Sequence, residues 1–192
     1  MIHNIPKVPV PTSPLLLDKP ISELQTILKS NLSWLDYSFG RCQRLIKTKD
    51  KRDYYYPAVY ISNNNYVNVL PDQQLGNFSF IWVDDPLEIA FNPNTFNKVN
   101  ARISLIFWIN LDSIYTGSSD RNTENLKAEI LGVLTRKQFL NSGRISWSTI
   151  YERSENIYKG FSLLEIESQY LMAPYAGFRF EGSILMEESC SI

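Results

Sequence analysis

The stretch from Ala101 to Tyr115, ARISLIFWINLDSIY, constrains the fold more than any other in this chain. Ile103, Leu105, Phe107, Ile109 and Leu111 fall on one parity, and Arg102, Ser104, Ile106, Trp108 and Asn110 on the other. Successive side chains of a strand point to opposite faces, so the pattern is a long strand with one wholly apolar face and one mixed face. No residue from Ile103 to Leu111 is charged, which fits the interior of a sheet rather than an edge. The apolar face of such a strand requires a cover. Leu126, Ile130, Val133 and Leu134 keep helical spacing, widened by Ala128 and Leu131, and predict a helix over about 123–139 that would lie on it. Asn122 or Thr123 caps this helix and Asn141-Ser142-Gly143 ends it. Gly132 weakens it by about 1 kcal/mol relative to alanine and would allow close packing on the sheet.

Upstream, Met1–Lys19 reads as an arm. Pro6, Pro9, Pro11 and Pro14 exclude a helix and make a poor strand, because each lacks an amide donor and biases its predecessor to extended geometry. Ile2, Ile5, Val8, Val10 and Leu15-Leu16-Leu17 are too apolar for a solvated linker. The expectation is an extended arm packed on its own domain or on a neighbouring subunit. Residues 20–192 then form a single domain. Its first element is a helix over about 20–31, with Pro20 in the first turn, Ser22 and Gln25 at capping-box spacing, and Ile21, Leu24, Ile27 and Leu28 on one face.

Between the helices the pattern is that of strands. Arg41–Thr48 and Tyr54–Ile61 read as a long antiparallel hairpin joined by KTKDKRD, with Pro57 at an edge or a bulge. Tyr66–Leu70 and Phe78–Val83 are further strands, and 92–100, with four asparagines and Pro93, reads as loop. After the second helix, Ile145, Trp147, Thr149 and Tyr151 alternate, 154–160 is a turn or short helix, and Gly177–Glu187 is a closing strand. Two helices among many strands, without regular strand–helix alternation, give an α+β fold. It has a mainly antiparallel sheet, a long β-hairpin and both helices packed on one face, preceded by the extended arm.

Chemistry is sparse. The only histidine, His3, lies in the arm, so Ser/His/Asp and Cys/His sites have no base to use. Asp84-Asp85, Glu165-X-Glu167 and Glu187-Glu188 read as turn and cap residues. Asp72 with Glu88 has a nuclease-like separation, but the lysine expected two residues after the glutamate is replaced by Ala90. No phosphate-cradling glycine loop occurs, and Cys42 and Cys190 alone make neither a disulfide framework nor a zinc site. These features point away from an enzyme and call for no cofactor or metal. A net charge of −1 argues against a whole-domain nucleic-acid binder. The one cationic cluster is the hairpin tip, Lys47, Lys49, Lys51 and Arg52, diluted by Asp50 and Asp53; it is the candidate contact with DNA or an acidic partner. No run is long enough to span a membrane, and no signal pattern opens the chain. Aromatics at 13%, eleven of them tyrosines, suit sheets and protein interfaces.

The ending Ala173-Pro-Tyr-Ala-Gly-Phe-Arg-Phe-Glu-Gly-Ser-Ile184 resembles the last strand of tail-terminator and tail-completion proteins of tailed bacteriophages. The order helix 20–31, hairpin 41–61, central strand 101–115, helix 123–139 and strand 177–187 is similar to theirs. The proline arm and asparagine-rich loops resemble neck and tail ring proteins of crAss-like phages of Bacteroides. The resemblance implies a structural virion protein, made in the host cytoplasm. It would form a ring of six or twelve copies at the head–tail connector or top of the tail, against other neck, portal or tail proteins. In a ring, Pro9, Pro11, Leu15 and Leu16 of the arm and Trp108 on the mixed face of the central strand become candidate inter-subunit contacts. The other reading is a non-enzymatic, protein-binding adaptor or accessory module of a phage or mobile element.

Overall fold

The computed structural model describes residues 5–62, 65–71, 75–90, 96–117, 122–163, 166 and 168–189. Helix α1 (Asp18–Asn31) precedes strands β1 (Tyr37–Lys49), β2 (Arg52–Ser62), β3 (Asn65–Asn68), β4 (Phe78–Val83), β5 (Glu88–Ala90) and β6 (Phe96–Asn110). The one-turn helix α2 (Leu111–Ile114), helix α3 (Thr123–Arg136), β7 (Phe139–Leu140), β8 (Gly143–Tyr151), the short α4 (Ser154–Ile157), a 3-10 turn (Ser168–Leu171) and β9 (Tyr175–Ser189) follow. The strands form one sheet in the order β3-β2-β1-β4-β6-β9-β8-β7, with β5 added beside the start of β6. Among the described strands, β1 and β4 alone run parallel. The fold is α+β with a mainly antiparallel sheet.

The uncharged alternating stretch is the middle of the sheet. β6 lies between β4 and β9 and pairs with β9 along its whole length, from Phe96 opposite Ser189 to Asn110 opposite Tyr175. Ile103, Leu105, Phe107 and Ile109 are buried in one core with Ile21, Leu24 and Leu28 of α1 and with Leu126, Ile130, Val133 and Leu134 of α3. Both helices therefore cover the same face. Each fully buried aliphatic side chain of these stripes contributes about 1.5–3 kcal/mol of transfer free energy.

Several boundaries differ from the sequence reading. The strand stops at Asn110 rather than Tyr115, because the Asn110 side chain accepts from the Asp112 N–H and starts α2. It begins earlier as well: 96–100, read as loop, pairs with both β5 and β9, which supply the ladder partners that its asparagines do not advertise. Ser22 and Gln25 do not form a capping box; α1 starts at Asp18 without a side-chain cap. Gln25 instead turns inward. Ala128 and Leu131 are exposed, so the α3 stripe is narrower than its composition. A Cβ added to Gly132 would meet the Arg136 guanidinium and not the sheet, so this glycine serves no helix–sheet contact.

The second face of the sheet is also covered over much of its area. Ile106 and Trp108 of β6 and Phe78 and Phe80 of β4 pack with Ile157, Tyr158, Ile166 and Tyr170 from the segment between β8 and β9. Trp108 and Tyr158 meet edge to face at 6.0 Å. β1 takes part in both regions. Its first residues pair with β4, its register shifts between Ser38 and Arg41, and the rest pairs with β2. Phe39 and Cys42, of opposite parity, consequently both enter the second core.

Two buried amides fix this geometry. Gln25, 1% exposed, donates from Nε2 to the carbonyls of Pro9 at 3.0 Å and Ser38 at 2.9 Å, joining arm, helix and the bend in β1. The Asn77 Nδ2 donates to the Trp34 carbonyl at 3.2 Å and the Ser113 hydroxyl at 2.9 Å. Its Oδ1 accepts from the Asn110 N–H at 2.7 Å. That one residue therefore ties the entry of β1 to the exit of β6.

Candidate functional site

Three regions of the surface are candidates for contact with another molecule. The first is the β1–β2 hairpin. Asp50 and Lys51 have φ of 51° and 59°, the signature of a two-residue type I′ turn, so the strands run to Lys49 and Arg52 and the tip is tighter than KTKDKRD implied. Lys49 faces Arg52 and Lys47 faces Tyr54, which puts these three cations on one face of the ribbon. Thr48 faces Asp53 on the other, with the Thr48 hydroxyl donating to the Asp53 carboxylate at 2.7 Å. The Arg44 guanidinium lies over the Tyr55 ring at 4.8 Å, also on that second face. β1 leaves β4 at Arg41 and β3 begins its pairing with β2 at Ala58. Pro57 sits at the point where the β3 pairing ends.

The second region comprises the two ends of the sheet. At one end, β3 presents Tyr66, 39% exposed, with Tyr60 of β2, 46% exposed; their rings meet at 5.4 Å. At the other, β7 pairs only with Gly143 and Arg144, so among the described residues no strand pairs with Ser146–Tyr151 of β8 on the side away from β9. This edge reads SWSTIY, without charge or proline. Phe139 of β7, 75% exposed, stands next to it beneath the Arg144 guanidinium.

The third is a polar cleft of about 720 Å³ on the second sheet face, between Trp82, Asp84, Arg102, Arg179, Glu181 and Ser183. Arg179 is 3% exposed. Its Nε donates to Glu181 at 3.0 Å and its Nη1 to the Lys159 carbonyl at 3.2 Å, which pins the segment after α4 onto β9. Trp82 Nε1 donates to Asp84 at 2.5 Å. Both carboxylates thus already accept a bond from a neighbouring side chain. Nearby, burial pushes the Cys42 thiol far above its ordinary range, against the opposing pull of Arg179 and Arg41, so it stays protonated and unreactive.

The residues singled out from the sequence divide accordingly. Lys47, Lys49, Lys51 and Arg52 gather at one exposed tip. Pro11, Leu15 and Leu16 are exposed, the leucines at 69% and 56%. Pro9 is buried against its own chain under Gln25, and the Ser38 N–H donates to the Lys7 carbonyl at 2.9 Å. The arm therefore docks on its own domain as far as Pro9. Trp108 departs from the expectation: it is 3% exposed, under Tyr158, so the mixed face of β6 is not offered to a second copy at this position. Ile157 and Tyr158, from the stretch read as a turn or short helix, close it off together with Ile166 and Tyr170. The β8 edge and the Tyr60/Tyr66 pair went unrecognised, because edge status depends on which strands pair. His3, Asp72, Glu165, Glu167 and Cys190 lie outside the described residues. Among the described residues, no three His, Cys, Asp or Glu side chains converge, and no helix is long and apolar enough to cross a membrane.

Comparison with protein-family models and with curated proteins finds no match.

Proposed function

We propose that the chain is the subunit of a homo-oligomeric ring at the head–tail connector or the top of the tail of a tailed phage, a structural rather than catalytic component of the virion. One observation carries the reading: the sheet ends in two unlike surfaces, the Tyr60/Tyr66 end and the uncharged Ser146–Tyr151 edge, neither of them covered by another strand among the described residues. Proteins commonly blunt an open strand edge with lysine, proline or a covering loop. The β8 edge carries only its register shift between Trp147 and Thr149. A contact between two different patches is heterologous, and when its rotation closes it generates a ring. The exposed Leu15 and Leu16 at the start of α1 add apolar area that a neighbour can bury. The element order resembling tail-completion proteins agrees with this assembly.

The experiment is a charged substitution on the open edge. Thr149→Lys keeps a strand-compatible, exposed position beside Glu181 and introduces the residue that native edges use against pairing. The variant should keep the parent circular dichroism and melting temperature but sediment as a smaller species. It should also fail to enter particles in which antibody labelling places the parent at the neck. A parent protein absent from purified particles would overturn the virion reading, and a discrete complex with a non-virion protein would favour an adaptor.

A further inference from the structure

We propose that one face of the β1–β2 ribbon binds the phosphate backbone of double-stranded DNA, with the ribbon lying in the major groove. The hairpin alone carries this, independently of ring formation. Its basis is a segregation of charge that the sequence hides. In order along the chain, Asp50 and Asp53 interrupt the basic tip and dilute it. In the fold, Lys47, Lys49 and Arg52 share one face, joined by Tyr54, while Asp53 is on the opposite face, held by Thr48. Lys51 occupies the turn at the very end.

The shape of the element agrees with the charge. β1 has left β4 by Gln43, and β2 is paired with β3 only from Ala58 onward, so Gln43–Lys49 and Arg52–Tyr56 form a ribbon of two strands, half-buried at Tyr54–Tyr56 and exposed at Ile46–Lys49, Arg52 and Asp53. Seven residues of β1 at strand rise make it about 24 Å long. A hairpin of this kind is marginal alone; here the Ser162 N–H donating to the Tyr55 carbonyl at 2.6 Å braces it at mid-length. The major groove of B-form DNA, about 12 Å wide, admits a two-stranded ribbon. The lysines and arginine then reach phosphates on the groove walls, and Tyr54 supplies a hydroxyl and a flat ring between them. An acidic protein partner is the weaker match. Lysine is depleted at the cores of protein interfaces, where large apolar anchors carry the energy. Two of the three ladder cations are lysines, and the large exposed apolar side chain of the ribbon, Ile46, pairs with Tyr55 on the other face.

The test is fluorescence anisotropy of a labelled DNA duplex titrated with the full chain at several salt concentrations. Three phosphate contacts predict a slope of log K against log salt of about −2.7, which is roughly a 40-fold loss of affinity between about 50 and 200 mM salt. Each of Lys47→Ala, Lys49→Ala and Arg52→Ala should lower the slope by about 0.9, and the triple variant should abolish binding at an unchanged melting temperature. A variant with Arg136→Ala and Lys137→Ala, which removes exposed charge at the end of α3, should bind as the parent does. No binding at the lowest salt, equal loss in the α3 variant, or displacement of DNA by polyglutamate at equal charge concentration would overturn the proposal. The last result would assign the face to an acidic protein.

Discussion

Replacing Gln25 with methionine keeps the length of a buried side chain and removes its amide. The parent Nε2 donates to the Pro9 and Ser38 carbonyls at 3.0 and 2.9 Å. Both lose that donor in the variant, and a buried polar group left unpaired costs about 1–3 kcal/mol. Part of the cost is offset, because the Gln25 Oε1 is itself buried without a partner and disappears in the exchange. The net loss is about 2 kcal/mol, which for a chain of this size lowers the melting temperature by roughly 4–8 °C. The loss is also local. The bond to Pro9 tethers the arm to α1, so the peptide bond after Lys7 should become accessible to trypsin well below the melting temperature. Differential scanning calorimetry and timed proteolysis read the two effects. A variant that melts within about a degree of the parent and resists trypsin equally would refute the claim that Gln25 docks the arm.

Other substitutions follow from particular contacts. Gly132→Ala should stabilise α3 by about 0.5–1 kcal/mol, raising the melting temperature by a few degrees, because the added methyl meets only the flexible end of Arg136. Gly177→Ala should do the opposite by about 1–3 kcal/mol, since its Cβ would lie 2.6 Å from the Trp108 ring and 2.9 Å from Ile157. Trp108→Ala should cost about 3–5 kcal/mol in chemical denaturation, as a core truncation. Trp108→Phe should cost much less, because the indole N–H is buried without an acceptor. Cys42 should remain unalkylated by iodoacetamide in the native protein even at mildly alkaline pH and react once unfolded, as peptide mass spectrometry would show.

The parts of this fold that were legible in the sequence are those governed by periodicity within a single element. β6 announced its interior position through alternation without charge, and α1 and α3 through their stripes. The hairpin was visible in its tyrosines and lysines, but its cationic face was not, since that depends on the register that sets Asp53 opposite Thr48. Partner identity decided the other misses as well. Trp108 looks half-exposed on a mixed face until Ile157, Tyr158, Ile166 and Tyr170 pack against it, and in sequence 154–160 reads only as a turn or short helix. Residues 96–100 look like loop because ladder bonds from β5 and β9 stabilise a polar strand that propensity disfavours. Gln25 and Asn77 form bonds between segments distant in the chain, for which a single sequence carries no mark. The open edge of β8 is of the same kind, and the proposed assembly turns on it.

The native mass of the purified chain tests that assembly most directly. Native mass spectrometry at micromolar protein should find a closed species of six or twelve times 22.2 kDa, which collapses to smaller forms in Thr149→Lys. A parent that remains at 22.2 kDa across the concentration range would contradict the account.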